Sequence, residues 1–95
     1  MLEKEPEDLF LNYALGLEYA NDLGKVADAE SQFKIVLSLD ENYVPAYYQL
    51  GRLFASLLRI PEALEYYKCG LEKAKEQKNN KAINEFSEAI FMLED

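Results

Sequence analysis

The sequence predicts an all-α fold made of antiparallel helix–turn–helix pairs, and three observations support this. Leu, Ala, Glu and Lys, which favour helices, dominate the 95 residues, whereas the long runs of Val, Ile and Thr typical of strands do not occur. Turn signals divide the chain into five helical segments, and the connections are so short that neighbouring helices must run antiparallel. A pattern of large and small residues also returns after 34 or 35 positions. A chain of this length forms one domain.

Turn and cap residues locate the individual helices. Pro6 and Pro45 suit the first turn of a helix, because the N–H that proline lacks is not needed there. Either Asn79 or Asn80 can cap the last helix. The five predicted helices run, in chain order, from about Glu7 to Asn21, Val26 to Leu39, Pro45 to Leu57, Pro61 to Gln77, and from the asparagine pair to about Leu93.

The repeat becomes visible when "NYALGLEYANDLGKVADAESQFKIVL" is aligned with "YYQLGRLFASL-LRIPEALEYYKCGL". The first halves match at an offset of 35, and the offset becomes 34 after one extra residue near Asn21 and Asp22. Two helix–turn–helix units with matched large and small positions follow from this alignment. The matched pairs are Leu15-Gly16 with Leu50-Gly51, Tyr19 with Phe54, Ala29 with Ala63, Phe33 with Tyr67, and Leu37 with Leu71.

Gly16 and Gly51 require an explanation, because glycine inside a helix costs about 1 kcal/mol relative to alanine. We predict that they lie where the first helix of each unit meets the second, with Phe33 and Tyr67 filling the adjacent space. Close packing then offsets the propensity cost. Leucine at position 51 is expected to overpack this contact, whereas alanine is expected to be tolerated.

This pattern resembles that of the tetratricopeptide repeat (TPR) family, a 34-residue unit with conserved small and aromatic positions, and the match covers about Leu9 to Gln77. The first unit carries Leu15, Gly16, Tyr19, Ala29, Phe33, Val36 and Leu37 at the family positions. The second carries Tyr47, Leu50, Gly51, Phe54, Ala63, Tyr67, Gly70 and Leu71. The resemblance implies right-handed antiparallel helix–turn–helix repeats, with repeat one at about 9–43, repeat two at about 44–77 and a capping helix at about 80–94.

The chain departs from the family pattern at a few positions. Asn12 stands where the first aromatic residue is usual, and Glu41 and Lys75 replace the closing proline of the two units. Leu58 occupies a turn position where glycine is common. The segment from Leu2 to Pro6 resembles the closing Leu-x-x-x-Pro of a preceding unit. Two interpretations stay open: the chain is cut from a longer array or has lost an earlier repeat, or this segment is a frayed tail.

The fifth helix is predicted to cover the exposed side of the second repeat, as the end repeats of such arrays require. Its apolar residues recur at the spacing of one helix face. They are Ile83, Phe86, Ile90 and Leu93, and the residues predicted to point outward are Lys81, Asn84, Glu85 and Glu88.

Charge and composition exclude several functions. A net charge of -8 disfavours nucleic acids and anionic membranes as partners. The chain has no histidine and a single cysteine, Cys69, so neither an intrachain disulfide nor a Cys/His zinc site can form. We therefore expect no catalysis, no metal and no cofactor, and Cys69 is predicted to be a small packing residue. The start "MLEKEPED" is unlike a signal peptide, so a cytoplasmic protein is expected.

The resemblance also implies a binding surface, because the first helix of each TPR unit lines a concave groove that holds a peptide or helix. Tyrosines at such positions suit recognition, although they could instead pack against neighbouring helices; Arg52 could be a solvated charge. The Lys and Asn of the family's carboxylate clamp are replaced by Tyr13 and Leu17, so the clamp is absent. The predicted groove residues are Phe10, Tyr13, Leu17 and Asn21 from unit one, and Tyr48, Gln49, Arg52 and Ser56 from unit two.

Two functions therefore compete. The first is a protein–protein interaction module that binds a peptide segment or helix of a partner protein of unknown identity. The alternative is a structural domain that dimerises through its C-terminal helix, because one helix face cannot bury all four residues of the run Ile90–Leu93. A monomer or a weak homodimer is expected.

Overall fold

The computed structural model describes residues 8–94, and every regular element within them is helical. The five predicted helices are confirmed there, with ends within two residues of the predicted ones. Leu2–Pro6 and the predicted helix start at Glu7 lie outside the described residues. The elements are α1 (Leu9–Ala20), a 3₁₀ turn (Leu23–Lys25), α2 (Val26–Leu39), α3 (Val44–Ser56), α4 (Ile60–Glu76) and α5 (Asn80–Glu94).

Side-chain caps define two of the helix starts. The Asp8 carboxylate accepts a hydrogen bond from the Leu11 N–H at 3.1 Å and so caps α1. The Asn79 side-chain oxygen accepts from the Ala82 N–H at 3.1 Å, so Asn79 rather than Asn80 caps α5. Asn12 is buried, and its side-chain amide donates to the Asp8 carbonyl at 2.9 Å. The position where an aromatic residue is usual is thus filled by a polar group bonded to its own helix.

The turns inside the two repeats differ, which explains the extra residue of the first. In the first turn, the Asp22 carboxylate accepts from the Gly24 N–H at 2.9 Å and opens the 3₁₀ turn. In the second, Leu58 has φ 62° and closes α3 with a Schellman motif. There the Arg59 N–H donates to the Phe54 carbonyl at 2.9 Å, and the Leu58 N–H donates to the Ala55 carbonyl at 3.0 Å.

Each helix packs against the next in sequence, and α3 also contacts α1. Two adjoining apolar clusters result. The first centres on Phe33, Leu50 and Phe54, between the two repeats. The second centres on Tyr67 and Phe86 and joins the second repeat to α5. Hence α5 covers apolar surface of the last repeat, as the sequence predicts.

Glycines lie directly against aromatic rings of neighbouring helices. A Cβ atom built on Gly16 would lie 2.6 Å from Cε1 of Phe33, and one built on Gly51 would overlap the ring of Tyr67. The prediction for these two glycines is confirmed. Gly70 repeats the arrangement one interface later, because its Cβ would lie 2.5 Å from Cε1 of Phe86. The repeat pattern includes Gly70 but predicts no contact for it.

Two expectations are wrong. Cys69 is exposed rather than packed. The neighbouring Gly70 faces α5, and one residue along a helix rotates the side chain by about 100°, which directs Cys69 away from that interface. Alanine at position 51 is not tolerated by the geometry either, because even one methyl group would overlap a ring that is only 4% exposed.

We therefore predict that Gly51→Ala lowers the free energy of unfolding by about 1–3 kcal/mol, and that Gly51→Leu lowers it further. The ring of Tyr67 cannot move aside easily, since it packs against Tyr48 and Phe86 with centroid distances of 5.7 and 6.3 Å. Thermal and urea unfolding of the variants measures the effect. The matched control is Gly24→Ala, where the nearest atom to the new Cβ is 3.5 Å away, an ordinary contact. An unfolding midpoint of Gly51→Ala at or above that of the wild type would contradict the tight contact.

The left-handed backbone at position 58 leads to a second prediction. A leucine there costs roughly 1–2 kcal/mol relative to glycine, which is partly offset by the entropy of glycine in the unfolded chain. The Leu58 side chain is 82% exposed, so its removal loses little packing. Leu58→Gly should therefore stabilise the protein by about 0.5–1 kcal/mol and raise Tm by a few degrees. The control is Leu57→Gly, at φ -91°, which should destabilise. A lower Tm for Leu58→Gly would show that the Schellman turn carries no strain.

Candidate functional site

Three open clefts lie next to one another on the side of the molecule formed by α1, α3 and α5. The central cleft, of about 330 Å³, lies between α3 and the first half of α5. The α5 cleft, of about 280 Å³, lies between α3 and the second half of α5. The α1 cleft, of about 360 Å³, lies between α1 and α3. We call the three together the groove.

Side chains of α3 connect the clefts. Tyr48 lines the central cleft and the α5 cleft, Gln49 lines the central cleft and the α1 cleft, and Arg52 lines the α5 cleft and the α1 cleft. Positions 48, 49 and 52 share one face of a helix. That face is held in place because Gly51, on an adjoining face of α3, packs against α4.

Seven of the eight predicted groove residues line these clefts, and one does not. Phe10 lines none of the three; it is 70% exposed and contacts the ring of Tyr43 edge-on, with a centroid distance of 6.1 Å. The seven that the fold brings together are Tyr13, Leu17, Asn21, Tyr48, Gln49, Arg52 and Ser56.

Tyr13 and Tyr48 were predicted either to line the groove or to pack against neighbouring helices, and in the structure both side chains do both. The ring of Tyr48 packs against Tyr67 and Phe86, with centroid distances of 5.7 and 5.6 Å. The ring of Tyr13 packs against Phe33 at 5.7 Å and Tyr43 at 5.3 Å. Both tyrosines are nevertheless only half-buried and border a cleft. Each ring is therefore held in a fixed orientation while part of it stays accessible.

The phenols of Tyr13 and Tyr67 stay neutral at physiological pH. Burial raises the pKa of Tyr67 to about 12, with nearby Tyr48 adding to the rise and Arg52 opposing it. Burial also raises the pKa of Tyr13, and a hydrogen bond with the Gln49 side chain partly lowers it again. These groups act as neutral hydrogen-bonding partners. The formal charges among the residues that line the three clefts are those of Arg52, Lys81, Glu85 and Glu88.

The groove predicted from the sequence did not include the contribution of α5. Lys81, Glu85 and Glu88 are exposed, as predicted for outward positions, yet they line clefts, and so does Met92. A signal was present: Ala82, Phe86 and Ile90 follow Ala46, Leu50 and Phe54 by 36 residues. Ala46 and Ala82 are both buried, and so are Leu50 and Phe86. Thus α5 presents its side chains as the first helix of a repeat does.

Within residues 8–94, no helix has both the length and the apolar character needed to cross a membrane.

Solved structures define the class of protein. A solution NMR structure of a tetratricopeptide repeat domain protein from Salinibacter ruber is similar with a TM-score of 0.85 and 34% sequence identity, covering 94% of this chain and 89% of that one. A crystal structure of a tetratricopeptide repeat domain protein from the same organism gives a TM-score of 0.82 and 32% identity, covering 92% of this chain and 97% of the other. This chain belongs to the tetratricopeptide repeat family. No family model and no curated protein matches it.

Family membership confirms the helical-repeat fold predicted from the spacing of glycines and aromatic residues. It also assigns the chain to a class of repeat modules that serve protein interaction in general.

Proposed function

We propose that this chain is a protein–protein interaction module that holds a peptide segment or a helix of a partner protein in the groove formed by α1, α3 and α5. The observation that carries the proposal is the continuity of the three clefts, which share Tyr48, Gln49 and Arg52. Three clefts that each adjoin the other two form a continuous surface, which suits a chain of side chains better than a single compact molecule.

The chemistry of the shared residues supports a polypeptide ligand. Each cleft has room for one or two side chains and stays open along one side. The ring of Tyr48 provides contact area at a small cost in rotamer entropy, because it is already packed on two other rings. The Gln49 amide can both donate to and accept from a peptide backbone.

The proposal includes no catalysis and no cofactor. The sequence contains no histidine to activate a nucleophile, and the exposed thiol of Cys69 is not among the residues that line the groove. The partition into repeats at 9–43 and 44–77 with a covering helix at 80–94 stays a prediction, to which we add that this helix takes part in binding. A cytoplasmic location likewise stays a prediction.

Tyr48→Ala should weaken binding to peptides selected from a random display library against the wild-type domain. Loss of a central, packed aromatic residue typically costs 2 kcal/mol or more, which corresponds to roughly 30-fold in Kd. Tyr48→Phe is the matched control, since it keeps the ring and removes only the hydroxyl, and it should lose much less. Isothermal titration calorimetry measures Kd, and circular dichroism with thermal melting reports whether each variant is folded.

The location of the peptide is checked independently by NMR chemical-shift perturbation of the wild-type domain. Perturbed signals should belong to α1, α3 and α5. Perturbation confined to the exposed faces of α2 and α4, or an unchanged Kd for a folded Tyr48→Ala variant, would contradict groove binding.

A second candidate function is self-association through α5. Phe91 and Met92 are 78% and 70% exposed, so both large apolar side chains lie in water at the C-terminal end of the described chain. Large exposed apolar side chains that adjoin one another favour association.

If α5 mediates a homodimer, analytical ultracentrifugation should show a mass that rises with protein concentration. The double variant Phe91→Gln/Met92→Gln should then stay monomeric, while Leu23→Gln, which alters a 93% exposed leucine in the first turn, should associate like the wild type. A monomer mass at every concentration reached would rule this function out.

A further inference from the structure

The α5 cleft differs from the α1 cleft in its charge. Glu85 and Glu88 lie three residues apart on one face of α5, and both line the α5 cleft. Among residues 8–94, Arg52 from α3 is the only cation that lines it. In the same part of the chain, no acidic side chain lines the α1 cleft.

The two carboxylates have no ion-pair partner among residues 8–94. The salt bridges described there join Lys34 to Glu30, Arg59 to Glu62, and Lys68 to Glu94, at 2.7, 2.6 and 3.0 Å. Glu85 and Glu88 are both exposed at the edge of the cleft. They are therefore available to a cation that a ligand brings.

The remaining surface of the α5 cleft is largely apolar. Tyr67, Ala89 and Leu93 are buried or half-buried against neighbouring helices, and they line its inner wall together with the ring of Tyr48. Met92 lines the same cleft with a side chain that is 70% exposed. A flexible thioether at this position can adapt to an apolar side chain of a ligand.

From this arrangement we infer that the α5 cleft selects a polypeptide segment in which a large apolar side chain is flanked by lysine or arginine. The apolar side chain packs against Met92 and Leu93, and the cation pairs with Glu85 and Glu88. This inference rests on the proposed function and adds the chemical class of the partner.

Charge favours this occupant over the alternatives. The net charge of -8 attracts a basic segment over a distance of several ångströms and raises its rate of association. A second copy of the chain would bring the same negative charge towards the same two glutamates. An acidic segment would meet one arginine and two carboxylates in the α5 cleft.

Three synthetic peptides of equal length test the inference. All have leucine at the spacing of one helix face, and they differ only in carrying lysine, glutamine or glutamate at the remaining positions. Titration into the full chain at low and at physiological salt gives Kd, and NMR chemical shifts identify the site. The lysine peptide should bind most tightly and the glutamate peptide most weakly, with perturbations at Tyr48, Ala89 and Leu93.

Variants separate the cleft from the general charge of the protein. Glu85→Gln/Glu88→Gln should weaken the lysine peptide roughly five- to tenfold, as expected for the loss of two partly exposed ion pairs, and should leave the glutamine peptide unaffected. The matched control is Glu65→Gln/Glu72→Gln, which makes the same change in net charge at exposed positions of α4 that line none of the clefts. This control should change the Kd of the lysine peptide by less than about twofold.

The other possible results would overturn either the basic preference alone or the proposed function as well. Equal weakening by the two double variants means that the attraction is unspecific, and the inference is wrong. Equal affinity of the lysine and glutamine peptides, with perturbations in the groove, overturns the basic preference and leaves the proposed function intact. Perturbations outside the groove for every peptide, or no binding by any, count against the inference and the proposed function together.

Discussion

One kind of contact determines how the helices of this molecule are arranged: an aromatic ring packs directly against a glycine of a neighbouring helix. It occurs between Gly16 and Phe33, between Gly51 and Tyr67, and between Gly70 and Phe86. Each contact brings two helices close together and fixes their rotation about their own axes. Because the rotation is fixed, residues on the adjoining face of α3 must point into the groove. The shape of the groove is thus a consequence of how the core is packed.

The fifth helix covers the core and lines the α5 cleft, and one orientation of the helix achieves both. Phe86 lies on Gly70 and closes the apolar interface of the second repeat. The same orientation places Glu85, which precedes it, and Glu88, two residues after it, along the α5 cleft. A helix that only protected the core could carry any polar residues on its outer side. Here the two glutamates supply half of the formal charges that residues 8–94 bring to the groove, so the packing that covers the core also shapes the clefts.

The turns of the two repeats differ at places where the core does not constrain the chain. The first turn holds one extra residue in a 3₁₀ turn capped by Asp22, and the second uses Leu58 in a left-handed conformation. Lys78 follows α4 with the same conformation, at φ 57°. Both residues are exposed. The hydrogen bonds that close each helix therefore impose the left-handed backbone. Any conformational strain stays at the exposed turn and does not disturb the packing of the helix pairs.

The sequence by itself determined the helices, the repeat and the role of Gly16 and Gly51, because these depend on local preferences and on spacing along the chain. It also located most of the groove on α1 and α3 through the resemblance to a known family. Tertiary structure alone decided the rest. Only packing shows that Gly70 meets Phe86, that Cys69 is left in solvent, and that Phe10 lies apart from the three clefts. Only packing shows, too, that the glutamates of α5 border a cleft. An outward residue borders a cleft only if a neighbouring helix lies at the right distance. The spacing of residues along one helix carries no information about that distance.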